Sequence, residues 1–452
     1  MSPEHRSAPG ASADAMLPNA VALRLAAVLV QYTLQRHGVR SLVVKGEGLH
    51  RQGIRAPMTS ADVDLWVDPE RFDEALGLLA SMGWRRRAEA LSWTLFVDHS
   101  ITLVHPSWPC DVDVHRSFPG AFEEERIVFD RLWAAAEELP LSDETVRIPG
   151  PAHHLVLHAL HQLRSARSVS AIAALAALEA HGAGLPHEEL EAIREAAAEL
   201  GAQMPMTELL ASWGVPAAPE ERYRQARALW DVRRRSDRHT FNWLHAVASA
   251  PWRLKGGLLL RAAFPTRADL EASHPEATTA RSRLRLRGER TLRALRGLPS
   301  ALTGFTRVAL SGRSEEPGPV SSFVVIAEAT SPGSASPAPS APAARAVPPV
   351  EASAEAPGGS TPPAQRFAVE RTDQQVYVLD LSRPSVPPVV LSLSAASVFE
   401  AVIRQRRPRD EVVGLLADHY GIDPAAMRRD VDAVLAELDA RFPGAVLDGA
   451  RS

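Results

Sequence analysis

LVVKGEGLHRQGIRAPMTSADVDLWVDPERFDEALGLLASMGW, residues 42–84, changes its hydrophobic period as it runs. Ser41 to Lys45 is a short apolar run that stops at Gly46, the pattern of a strand turning into a loop or helix. Ala61 to Val67 alternates polar and apolar residues, which predicts a half-buried strand with Asp62 and Asp64 on one face and Val63 and Leu65 on the other. Pro69 to Met82 predicts a helix, with acidic residues in its first turn and Gly83 past its end. Outward from this stretch, residues 18–37 repeat apolar positions at helical spacing. Ser100–His105 and Cys110–His115 read as two more strands around the turn PSWP. Nearly everything from Pro151 to about Leu310 reads helical.

Two adjacent carboxylates on a largely apolar strand repel one another and are costly to bury. A divalent cation removes both penalties, which is why metal-dependent phosphoryl chemistry uses the pattern. Asp111, Asp113 and His115 share one face of a second strand; if it lies beside the first, Asp113 completes a three-carboxylate site. Lys45-Gly46 sits at the strand end, where a glycine lets backbone N–H groups approach phosphate oxygens and a lysine adds point charge.

These residues resemble the bacterial nucleotidyltransferase-like family of the polymerase-beta-type fold. Its members carry a Leu-Lys-Gly stretch, an Arg-Pro-x-x-Asp-hydrophobic-Asp-Leu stretch, a helix closed by Gly-aromatic and a later Asp-Leu-His strand, matched here by Asp113-Val114-His115. The resemblance runs over roughly residues 20–300 and implies Asp62, Asp64 and Asp113 as catalytic metal ligands for Mg²⁺ or Mn²⁺. It also implies Lys45 and Gly46 beside the phosphates of a nucleoside triphosphate. Two departures stand out. Glu47 follows Gly46 where better-known branches have serine, and the helix at Ala171–Ala180 lacks an aspartate that relatives often carry.

Other features read more plainly as structure. His154, His158 and His161 share a helix face, which is either a metal site or cleft lining, or simply a packed helix; spacing alone does not make ligands converge. Arg281–Arg296 holds seven arginines and one glutamate. It could meet RNA, anionic lipid or an acidic peptide, but Gly288 interrupts it and no aromatics interleave, so a solvated helix face is expected. Cys110 is read as core, and the tryptophans, among them Trp66, Trp84, Trp93, Trp108 and Trp133, as core and cleft edge.

From about Ser311 to Gln365, Pro, Ala, Ser and Gly dominate and only SFVVIA could bury anything; such a segment is expected to be an extended, disordered tether. Beyond it, Val376–Leu381 and Val389–Ser394 read as strands. A helix capped by Ser394 follows, then one opened by Pro408 and Asp410 and ended by Gly421, then a third started by Asp423-Pro424. This unit resembles the PqqD-like domain, which binds the leader peptides of ribosomally synthesised, modified peptides. The resemblance implies that a leader adds as a strand to a sheet edge near Val376–Leu381, against a helix holding Arg428. Arg428 and Arg429 are followed by acids, so nucleic acid is disfavoured.

The expected architecture is an α/β (α+β) nucleotidyltransferase domain with a helical extension, plus a small winged-helix-like α+β domain on a disordered tether. Its bounds are a disordered tail over 1–17, the α/β core over 18–150, the extension over 151–310, the linker over 311–365 and the peptide-binding domain over 366–446. The chain has 452 residues, formal net charge −4, one cysteine and no stretch of ~20 apolar residues. No intrachain disulfide can form, and a cytoplasmic protein with no membrane partner is expected. The function implied is metal-dependent nucleotidyl transfer in the biosynthesis of such a peptide, with the precursor peptide and other peptide-modifying enzymes as partners. The alternative is an adaptor of little catalytic power that presents the precursor to partner enzymes. A small-molecule acceptor such as an aminoglycoside would leave the C-terminal unit without a role.

Overall fold

A computed structural model describes residues 17–58, 60–88, 99–165, 168–218, 220–235, 238–267, 269–270, 274, 279–311 and 366–445. All of the expected tail but Leu17, most of the expected tether, SFVVIA and Trp93 lie outside them.

The first unit is a mixed sheet with helices on both faces. Its strands are β1 (Ser41–Val44), β2 (Asp62–Val67), β3 (Arg85–Arg86), β4 (Ser100–Val104) and β5 (Asp111–His115), in the order β1-β2-β5-β4-β3. Among the described strands of this sheet, only β2 and β5 run parallel. Alternation along β2 sorts its side chains. Val63, Leu65 and Val67 pack with α1 (Asn19–Arg36) and α3 (Phe72–Ser81), while Trp66 joins a second core on the opposite face. The short α2 (Gly46–Arg51) follows β1 directly. That second core takes Val128, Phe129 and Leu132 from α4 (Glu125–Ala134) and the apolar face of α5 (Pro151–Arg164). Cys110 is buried in the first core, where burial and then the charge of Asp111 push its thiol up to about 12.

A hairpin of β6 (Glu137–Leu141) and β7 (Glu144–Ile148) lies between α4 and α5 and was not expected from the sequence. Its two turn residues, Ser142 and Asp143, both have positive φ (51° and 60°), the geometry that matches the twist of paired strands. The extension continues through α6 (Val169–Ala183), α7 (His187–Glu199), α8 (Thr207–Ser212), α9 (Arg224–Arg235), α10 (Arg238–Ser249), α11 (Trp252–Ala263) and the 32-residue α12 (Ala280–Ser311).

The C-terminal unit has three strands rather than two: β8 (Phe367–Arg371), β9 (Gln375–Asp380) and β10 (Val389–Ser392), in the order β10-β9-β8. The stretch Val376–Leu381 therefore belongs to the central strand and its exit, and offers no open edge. Ser392, not Ser394, caps α13 (Leu393–Val398), which continues as one wide turn over Phe399–Arg404. Then come α14 (Arg409–Tyr420), closed by left-handed Gly421, and α15 (Pro424–Arg441), capped by Asp423. Phe367, Phe399 and Phe442 meet in its core.

This unit packs against the first. Ala368, Tyr377, Leu379 and Leu381 share a core with α1 and the hairpin. The Val369 amide donates to the Ser142 carbonyl at 2.8 Å, Arg24 pairs with Glu370 at 2.8 Å, and Asp143 takes both Arg371 and Arg404. The sequence left open whether the two units touch; the docked contacts are apolar and charge-complementary together.

Candidate active site

The site grows from the end of β1. Lys45 adopts φ 64°, ψ −138°, a backbone region strained for any residue with a Cβ, and Gly46 follows at φ 47°. The turn is clamped from α5: the Lys45 amide donates to His154 Nε2 at 2.7 Å. That leaves the proton of His154 on Nδ1, which donates to Gln52 Oε1 at 2.7 Å. Burial holds this imidazole neutral, with its pKa pushed down to about 3. Gly48 permits the approach, since a Cβ there would lie 2.9 Å from the His154 ring.

The strained turn aims the Lys45 ammonium at Asp64, Nζ to Oδ1 2.5 Å. His115 on β5 donates from Nε2 to the same oxygen at 2.9 Å. Burial alone would raise the Asp64 carboxyl, but the Lys45 charge and the His115 hydrogen bond more than offset it and hold the group well below the usual range. The parallel register sets Asp64 directly beside Asp113. Asp113 Oδ1 and His115 Nδ1 are buried with no hydrogen-bond partner. Ligand atoms of Asp64, Asp113 and His115 lie within 4.8 Å of one another. Two facing carboxylates, one with an unsatisfied buried oxygen, fit a divalent cation, and the cluster is capable of coordinating one.

Asp62 stands at the edge of this group. Its Oδ1 accepts from Ser60 at 2.8 Å, and its pKa is raised by burial and then by the neighbouring Asp64 charge. His115 joins the cluster although only its place on the strand face, not a ligand role, was read from the sequence. The signal available was Asp-x-His on a strand, which puts both side chains on one side.

Two cavities meet at Asp62 and Asp64. The larger, about 710 Å³, is bounded by Lys45 and the β2 and β5 carboxylates on one side. Its lining also takes Arg164, Arg233 and Arg234 from the helical extension, with Glu123 and Glu125. His161 lines this cavity, Phe118 stacks on Trp66 at 5.7 Å, and Arg164 donates to buried His99 at 2.9 Å. The arginines come from α5 and α9, far apart in sequence, and no local pattern marked them. The smaller cavity, about 320 Å³, is walled by α1 and the hairpin and takes Gly46 and Glu47. Glu47 is thus absent from the lining of the larger space; it pairs with Arg51 at 3.0 Å and Arg24 at 3.6 Å. Of the histidine face on α5, His154 serves the Lys45 turn and His158 is buried. The three assemble no metal cluster among the described residues.

The family described as "Uncharacterised nucleotidyltransferase" matches residues 12–211, and the family described as "Coenzyme PQQ synthesis protein D (PqqD)" matches residues 386–442. No curated protein matches the chain. Among solved structures, the solution structure of the antibiotic-resistance factor ANT(2'')-Ia aligns with 14% identity over 44% of this chain and 93% of its own, at a TM-score of 0.26. That overlap is too loose to bear on fold or activity. The sequence matches agree with the two folded units described above, and the chain is a fusion of a nucleotidyltransferase-like domain with a PqqD-like domain.

Proposed function

We propose that this protein is a cytoplasmic, metal-dependent nucleotidyltransferase in the biosynthesis of a ribosomally synthesised, modified peptide. The observation that carries the reading is the neighbouring pair Asp64–Asp113, with its orphaned buried oxygen, in the lining of a cavity that also takes Lys45, Arg164, Arg233 and Arg234. Asp64 and Asp113, with Asp62 beside them, hold Mg²⁺ or Mn²⁺. A metal bound there supplies charge neutralisation at the α-phosphate and lowers the pKa of an attacking hydroxyl or amine. Lys45, Arg164 and Arg233 balance the charge of a nucleoside triphosphate, with Gly46 at the turn beneath it. His115 orients Asp64.

The PqqD-like domain is suited to peptide binding, and β10 is its available edge: β9 is central and β8 donates toward Ser142. A leader adding to β10 would sit on a unit docked beside the smaller cavity, so its downstream core segment is presented at high effective concentration. We place the functional units at 18–150, 151–310 and 366–446, joined by 311–365.

Thermal unfolding with a panel of nucleoside triphosphates and Mg²⁺ or Mn²⁺ tests this. A cognate donor at 100 times its Kd should stabilise the protein by about 2.7 kcal/mol, and the gain should vanish in Asp62→Asn with Asp64→Asn. One observation favours an adaptor instead: the Lys45 ammonium already neutralises Asp64 internally. No metal-dependent shift with any nucleotide would select that reading.

A further inference from the structure

The longest described helix carries an apolar stripe on which no described residue packs. Leu284, Leu292, Leu295, Leu298 and Leu302 of α12 are all exposed, Leu284 by 69% and Leu295 by 62%. At 100° per residue they fall within an arc of roughly 120°. Leu284 and Leu302 are five turns apart, so the stripe is about 27 Å long. Single exposed leucines are ordinary; an aligned set of this length is an interaction surface. The helix is not loose: Ala301 and Val308 bury its other side against Val232 and Phe241.

The chemistry beside the stripe narrows its partner. The helix holds eight arginines against one acid, Glu289. Arg285 and Arg296 are exposed and border the leucines along one side, with exposed Arg281 at the N-terminal end of the stripe and Arg285 also reaching Glu289 at 2.8 Å. A second apolar face lies on α11, where Trp252, Leu259 and Leu260 are exposed. Phe264, exposed at the end of that helix, precedes Pro265, whose carbonyl accepts from Arg287 of α12 at 3.3 Å. A second copy laid on the stripe would bring like-charged arginine rows together. An anionic lipid surface satisfies both features at once, with leucines among acyl chains and guanidinium groups at headgroup phosphates.

We propose that α12, with the exposed end of α11, lies in the plane of an anionic lipid surface and holds the protein there. No helix among the described residues is long and apolar enough to cross a membrane, and an in-plane helix needs no such length. The expectation of a solvated face rested on Gly288 and on the lack of interleaved aromatics; the leucine stripe becomes visible once its exposure is known.

Co-sedimentation of the full chain with vesicles decides the matter. The wild type should pellet with vesicles of equal parts phosphatidylglycerol and phosphatidylcholine, release at high salt, and stay in solution with phosphatidylcholine alone. Leu295→Glu with Leu302→Glu should weaken binding at least tenfold while its thermal unfolding matches the wild type, because both side chains are solvent-exposed. Failure of the wild type to bind anionic vesicles overturns the proposal, as does undiminished binding by the variant. So does a solution dimer that the variant dissociates, which would assign the stripe to a second copy, or binding to homopolymeric RNA in place of vesicles.

Discussion

The α/β core and the PqqD-like domain are both small sheets backed by helices, yet they treat buried polar groups in opposite ways. The front unit and its extension bury Gln31, Asp64, His99, His115, His154 and His158, and of these Asp64, His99 and His115 line the larger cavity. Among its described residues the PqqD-like domain buries a single charged side chain, Asp380, paired to Arg366 at 2.8 Å, and otherwise relies on apolar contacts such as its three phenylalanines. The difference follows from what each surface must meet. A site for charged ligands has to hold ionisable groups in fixed protonation states away from bulk water. A strand-adding surface recruits its partner through backbone groups that are present in any sequence.

Acid should separate the two regions most strongly. Burial holds His99, His154, His158 and His161 neutral, with pKa values pushed down to about 2, 3, 4 and 3. Below their unfolded value near 6.5, the unfolded chain takes up protons that the folded domain excludes. Front-domain stability therefore falls as pH drops from 6.5 toward about 4, by at most about 5 kcal/mol per unit for four groups. The described part of the PqqD-like domain has one histidine, exposed His419. All nine tryptophans precede residue 253, so tryptophan fluorescence reports the front region alone. Its acid transition should come at higher pH than the loss of amide protection over Val376–Leu379. Coincident transitions would break the comparison.

Lys45 probes the cost of holding the site ready. Lys45→Ala should destabilise the front domain by about 3 kcal/mol, because it strips a buried carboxylate of its cationic partner. Lys45→Gly removes the same amine but suits φ 64°, so it should be more stable than the alanine variant by about 1 kcal/mol. Equal stability of the two in denaturant titration would show that the turn stores no strain.

The smallest effect is expected where the regions join. Glu370 accepts from Arg24 and from the Ser142 hydroxyl across the boundary. Glu370→Ala should weaken docking by about 1 kcal/mol, partly screened by solvent, and speed exchange of the Val369 amide roughly fivefold. Unchanged exchange would show that the apolar contacts of Ala368 and Leu379 hold the joint without the charges.

Much of this was legible in the chain, for identifiable reasons. Alternation over Asp62–Val67 and Asp111–His115 set the strand faces, and Gly83 and Gly421 marked helix ends because each occupies a positive-φ position. The β6–β7 hairpin escaped notice because Pro140 interrupts an alternating run of only five residues. Missing β8 had a larger consequence, since without it Val376–Leu381 reads as an edge. Half of the larger cavity was illegible as well: Arg164, Arg233 and Arg234 lie on helices whose patterns report only amphipathicity.

The sequence alone determined the local periods, the residue types at the carboxylate strand, the fusion of two unlike units and the composition break between them. These depend on neighbours within a few positions, and backbone geometry converts such spacing directly into faces and turns. Tertiary structure alone decided that β2 and β5 lie parallel in a register pairing Asp64 with Asp113, and that His154 clamps the Lys45 turn from α5. It also decided that the PqqD-like domain docks on α1, and that no described residue covers the leucines of α12. Each of these joins groups brought together only when separate elements pack, and nothing in the spacing of one element specifies which face of another it will meet.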